Sequence, residues 1–328
     1  MDQRQRTKRF GISVILCACI LRLSMAGIPG AMLRQFLQTG VTSILTYLET
    51  GRNVRFSASQ GPYYDFFRES PAPWIPPEKK PTFSAEDVAF VKMDYDCSSR
   101  PDLEDLMEQP LNWDLTAQEP SVLILHTHTT ESYTKEGENY VETSAYRTLD
   151  ETHNMLSIGD AVAQMLIRNG IGVIHDRNVH DYPSYTGSYV HARESAEDIL
   201  EQYPSICLVL DLHRDALEKQ GKQIRFLSPE DSCAQLMMVV GTDVSRRSHK
   251  NWRENLSLAL KLHVLLERIS PGIMRPLNLR SERFNQDLSP GALLVEVGAA
   301  GNTHAEALAA AQKLAEALII LAEGSDNS

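Results

Sequence analysis

Two histidines and a glutamate follow a short apolar run at Val122-Leu123-Ile124-Leu125-His126-Thr127-His128-Thr129-Thr130-Glu131. The spacing His128-x-x-Glu131 lets an imidazole and a carboxylate reach one ion from a single turn, and zinc takes such N and O donors. A second apolar run ends the same way at Leu208-Val209-Leu210-Asp211-Leu212-His213-Arg214. His213 would add a third protein ligand from another strand, leaving the fourth position for water, as in catalytic zinc sites. Asp211 lies two residues before it, on the same face of a strand, where it can hold the free ring nitrogen. The third stretch is Leu293-Leu294-Val295-Glu296-Val297-Gly298. A carboxylate inside an otherwise apolar strand is costly unless it has a partner or a task, and beside a metal it would serve as general base.

These residues need a scaffold that gathers them. Val122–Leu125, Gly172–His175, Ile206–Leu210, Leu236–Val240 and Leu293–Val297 are short apolar runs that read as buried strands. Helical periodicity lies between and after them. Met155, Ile158, Val162 and Met165 share one face, as do Leu256, Leu260 and Val264, and Leu308, Ala311, Ala315 and Leu318. Alternating strands and helices predict an α/β fold, a three-layer sandwich with a mainly parallel or mixed central sheet and helices on both faces. Ligands in such sheets bind beyond the carboxyl ends of the strands, which is where the polar residues above fall.

Other side chains are candidates for lesser parts. His126 is an alternative to His128 as the first ligand, or a substrate-binding group. His153 is an alternative to Glu131, and with Asn154 it stands at the start of a helix running to about Asn169. Arg193, Arg214, Arg283 and Asn285 are candidates for holding a substrate carboxylate or amide. Neither GxSxG nor GxxxxGK[ST] is present, which removes the serine-hydrolase and P-loop readings. The net charge of −11 has the wrong sign for gripping phosphate backbones, so nucleic acid is not an expected partner. Five cysteines form no CxxC and no disulfide framework; among Cys97, Cys207 and Cys233 at most one bridge is available.

Arg4, Arg6, Lys8 and Arg9 precede the mostly apolar stretch Phe10–Leu33, which is long enough to span a bilayer. The basic flank predicts a cytoplasmic N-terminus and a single-pass anchor with the rest of the chain extracytoplasmic. Arg22 in mid-span and the small residues Gly27 to Gly30 keep open a buried helix and a cleaved signal peptide. Nine of the sixteen prolines fall between Pro62 and Pro120, so residues 34–120 read as a spacer. The catalytic domain is expected over 121–323, with 324–328 as a tail.

The stretches LILHTHTTESY (123–133), LVLDLHRDA (208–216), VVGTD (239–243), NWRENLSLALKL (251–262) and RFNQDLSPGALLVEVGAAGNT (283–303) resemble the stage II sporulation protein P family of endospore-forming bacteria. That family is related to zinc-dependent N-acetylmuramoyl-L-alanine amidases. The resemblance implies an amidase-like fold, with His213 as the strand-end ligand, Glu296 as the catalytic glutamate and the 126–131 segment supplying the first ligand. It also implies a membrane-anchored peptidoglycan hydrolase that cuts the muramoyl–alanine amide and stem-peptide cross-links. Septal wall thinning during engulfment, beside stage II sporulation proteins D and M, is the implied setting. The expected mechanism places Zn²⁺ on His128, Glu131 and His213, with Glu296 as base and Arg214 or His126 at the oxyanion, and activity falling below about pH 6. A zinc peptidase confined to stem peptides and a non-catalytic wall-binding scaffold are the competing readings.

Overall fold

The computed structural model describes residues 81–323, apart from 112–114, 116–118, 138–139, 230–232 and 244–248. The apolar stretch 10–33 and most of the expected spacer lie outside the described residues. Among the described residues no helix is long and apolar enough to cross a membrane.

Seven strands form the central sheet: β1 (Met93–Asp96), β2 (Val122–Leu125), β3 (Val173–His175), β4 (Leu208–Asp215), β7 (Leu236–Gly241), β8 (Leu277–Arg280) and β9 (Gly291–Ala299). The order across the sheet is β1-β8-β7-β9-β4-β2-β3. Neighbours run parallel except β7 and β9, which are antiparallel. The sheet is therefore mixed. Its central strands are buried on both faces, so β2 and β7 read as unbroken apolar runs, while polar residues enter β4 from Asp211 onward and Glu296 interrupts β9. A small hairpin, β5 (Glu218–Lys219) with β6 (Lys222–Gln223), stands apart from it.

Helices cover both faces. On one, α2 (Met155–Arg168), α4 (Trp252–Ile269) and α5 (His304–Glu323) pack against the sheet and each other. Asn154 caps α2, its side chain accepting from the Leu156 amide at 3.0 Å. On the other, α3 (Ser188–Gln202) lays Ala192 and Ala196 on Leu123, Leu125, Val209 and Ala292. Period-two alternation then puts Asp211 and His213 on the α3 face with Val209, and Leu294 and Glu296 there with Ala292.

The domain begins well before residue 121, where the proline-rich reading had placed its start. Strand β1 is the sheet's edge, in parallel register with β8 from Met93↔Leu277 to Asp96↔Arg280. Helix α1 (Leu103–Glu108), capped by Asp102, buries Leu106 and Met107. The Leu106 carbonyl accepts from Ser257 Oγ at 2.7 Å and Lys261 Nζ at 3.0 Å on α4. Proline breaks this segment into short pieces without detaching it, because each piece finds its partners on the sheet or on α4.

Candidate active site

Three parallel strands, β3 aside, deliver the polar residues to one end of the sheet. Chain leaving β2 enters a tight loop in which the Glu131 amide donates to the His128 carbonyl at 3.1 Å. The loop is tied to β4 by Asp211, whose carboxylate accepts from the Thr127 amide at 2.9 Å and Thr127 Oγ1 at 2.6 Å. A second tie comes from Asp181, which accepts from the Thr130 amide and hydroxyl and pairs with Arg147. Between β4 and β9 the register sets His213 beside Glu296, before a bulge shifts the pairing.

The result brings His128, Glu131, His213 and Glu296 into one cluster. The His128 and His213 rings meet edge-on with centroids 5.2 Å apart. His213 Nδ1 lies 3.8 Å from Glu131 Oε2, and Nε2 lies 2.9 Å from Asp211 Oδ1. Glu131 also accepts from the Arg214 amide at 3.3 Å and from Arg147 Nη2 at 3.2 Å. His128 Nδ1 and Glu296 Oε2 are buried without a hydrogen-bond partner. Buried polar atoms are rarely left so.

Charge follows from burial and neighbours. Burial pushes the Glu296 carboxyl up to about 8 against the pull of His213. For His213, burial acts downward, but Asp211 outweighs it with help from Glu131 and Glu296, raising the imidazole to about 9. Asp211 is correspondingly held at about 2, His213 overcoming its burial. His128 falls to about 4, burial prevailing over the attraction of Glu131.

Two imidazoles and a carboxylate are a donor set that suits a divalent ion such as zinc, and the unpartnered His128 Nδ1 and the Asp211 contact on His213 fit that use. Among the described residues no group of three or more His, Cys, Asp or Glu side chains is arranged to hold a metal ion as it stands.

The remaining expected residues sit elsewhere or are otherwise engaged. His126 is fully buried, with Nε2 2.8 Å from His175 Nε2 and Nδ1 3.2 Å from the Leu212 carbonyl. Burial and His175 lower it to about 3. It is packed beneath the loop, out of a substrate's reach. His153 belongs to another group, with Nδ1 3.1 Å from Asp150 and its ring between Tyr140 and His304. Arg214 is a brace: Nε donates to the Ser132 carbonyl and Nη2 to that of Tyr146, each at 2.9 Å. Arg283 pairs with Asp287, which also takes both terminal nitrogens of Arg193. Asn285 Nδ2 donates to the Tyr189 carbonyl at 2.7 Å.

Two tyrosines not anticipated from the sequence line the site. Tyr185 stacks on His128 with centroids 4.5 Å apart, and its hydroxyl is 3.1 Å from His128 Nε2. Tyr189 meets His128 edge-on at 5.5 Å and stacks over His213 at 6.4 Å. The signal for them was the aromatic density of Tyr182-Pro183-Ser184-Tyr185-Thr186-Gly187-Ser188-Tyr189, which periodicity alone does not interpret.

The family model described as stage II sporulation protein P matches residues 74–319. The chain belongs to the stage II sporulation protein P family. Stage II sporulation protein P of Bacillus subtilis (strain 168) is 30% identical over 212 residues, covering 61% of this chain and 51% of that protein. The chain thus spans about half the length of the curated relative it matches. Among solved structures, the N-acetylmuramoyl-L-alanine amidase from Clostridium difficile 630 is 14% identical with a TM-score of 0.37, covering 62% of this chain and 94% of that one. The catalytic domain of CwlV, an N-acetylmuramoyl-L-alanine amidase from Bacillus (Paenibacillus) polymyxa var. colistinus, is 12% identical with a TM-score of 0.36, covering 62% and 95%. The α/β sandwich assignment rests on the chain's own sheet and helices.

Proposed function

We propose that this chain is a zinc-dependent peptidoglycan hydrolase that cleaves the N-acetylmuramoyl-L-alanine amide, with His128, Glu131 and His213 holding the ion. The observation that carries the reading is Glu296: a carboxylate in register with His213, buried with one oxygen unpartnered, and with His213 and Glu131 among its charged neighbours. Zinc, when bound, would polarise the scissile carbonyl and acidify a water. Glu296 Oε2 takes the proton of the attacking water and returns it to the amide nitrogen as the carbon–nitrogen bond breaks. Asp211 orients His213, Tyr185 orients His128, and Arg147 and Arg214 hold Glu131 in place.

Attachment to a membrane through residues 10–33, an extracytoplasmic active domain, and work beside stage II sporulation proteins D and M in thinning septal wall belong to the same proposal. Their support is the family resemblance and the basic, apolar start of the chain. Digestion of purified cell walls tests the bond. Release of free stem peptides with their amino-terminal L-alanine exposed is expected; products cut only within the peptides would replace the amidase reading by a peptidase at the same site.

A further inference from the structure

Hydrolysis of an amide builds negative charge on the carbonyl oxygen, and a preplaced donor aimed at that charge is worth more than one aimed at the ground state. The described donors around the cluster are committed. Arg214 donates to the Ser132 and Tyr146 carbonyls, Arg147 to Asp181 and Glu131, Thr127 to Asp211, and the Tyr185 hydroxyl meets His128. Tyr189 differs. Its ring lies against both His128 and His213, and Asp211, Glu296 and Glu131 are its charged neighbours. Its backbone carbonyl is pinned by Asn285, and Phe284 packs on its ring with centroids 6.1 Å apart.

That support is built from an unusual turn. Phe284 and Asn285 hold φ of 51° and 58°, in the left-handed region that bulky residues rarely adopt. Local strain of this kind clusters where a side chain must be aimed. Helix α3 enters at Gly187, whose φ of 92° bends the chain so that Tyr189 falls on the first turn, over the site.

Resting on the hydrolase reading above, we infer that Tyr189 is a catalytic residue: its hydroxyl donates a hydrogen bond to the oxygen of the scissile amide as that oxygen becomes negative. No bond to Tyr189 forms and its proton stays on the phenol.

Tyr189→Phe keeps the ring and its contacts with the two histidines and removes only the donor. In the full chain loaded with zinc, kcat on a muramoyl-peptide substrate is expected to fall about 100-fold, while KM and bound zinc stay within about twofold of wild type. A phosphinate mimic of the tetrahedral intermediate should lose affinity by a similar factor, a readout independent of turnover. Wild-type kcat in Tyr189→Phe overturns the assignment, as does an equal loss in KM and in mimic affinity, which would mark ground-state binding. If wild-type protein loaded with zinc cleaves no wall amide, the hydrolase reading falls and Tyr189's role falls with it.

Discussion

His213 sets the charge balance of the site. Asp211, Glu131 and Glu296 surround it closely enough to overcome burial, so without metal it carries a proton up to about pH 9. A ligand imidazole must be neutral, so an ion binding here displaces that proton. Below pH 9 the unbound state holds the proton and the bound state does not; affinity therefore rises with pH. The apparent Kd for zinc should tighten by at least about tenfold per pH unit from pH 6 to 9 and then level off. Competition with a fluorescent chelator across that range checks it, and a Kd that levels near pH 6.5, as for an ordinary imidazole, would contradict it. His128 adds no proton in that window, since burial keeps it neutral down to about pH 4. The sequence singles out His213 and Glu296 because they interrupt or follow an apolar run, and His128 and Glu131 because they follow one at a spacing that suits a shared ion. It places the pH window lower, because spacing shows Asp211 beside His213 but not the added pull of Glu131 and Glu296, which reach it from other segments.

At the level of elements, the site depends on how closely the layers approach. Helix α2 crosses the β2 exit at Gly159, where a Cβ would sit 2.5 Å from the facing Nε2 atoms of both His126 and His175. The buried strands were legible as apolar runs, and three of the helices as stripes. Helix α3 was not, because the face it buries is built from Ser188, Ala192 and Ala196 rather than from large apolar residues. Strands β1 and β8 also escaped notice. Their alternating burial reflects a sheet margin, and Asp94 and Asp96 give β1 the look of a loop. This margin matters for stability. A fragment starting at residue 121 loses β1 and α1, leaving β8 as an exposed edge paired only with β7 and Lys261 without the Leu106 carbonyl. Burial of Leu106 and Met107 alone contributes about 3–6 kcal/mol, and a domain of this size shifts by about 2–4 °C per kcal/mol. The fragment should therefore melt at least about 6 °C below one starting at residue 74, by calorimetry; equal melting temperatures would make the segment dispensable.

For the molecule as a whole, fold and family agree while the chemistry rests on one end of one sheet. The family match runs from residue 74, in step with a domain that takes in β1. The acidic balance of the whole chain disfavours the gripping of phosphate backbones and does not name a wall polymer. In the proposed hydrolase, fold and function would join where β2, β4 and β9 meet: the loop after β2 carries His128 and Glu131, β4 carries His213, and β9 carries Glu296, which burial raises to about 8. The most direct measurement compares wild type, His213→Ala and Glu296→Gln for zinc bound per chain and for amide cleavage of the same purified walls. Wild type should hold about one zinc and cleave. His213→Ala should lose both metal and activity, and Glu296→Gln should keep the metal while activity drops at least about 1,000-fold. Cleavage by Glu296→Gln at the wild-type rate, or wall binding by all three proteins with neither zinc nor cleavage, would contradict the account.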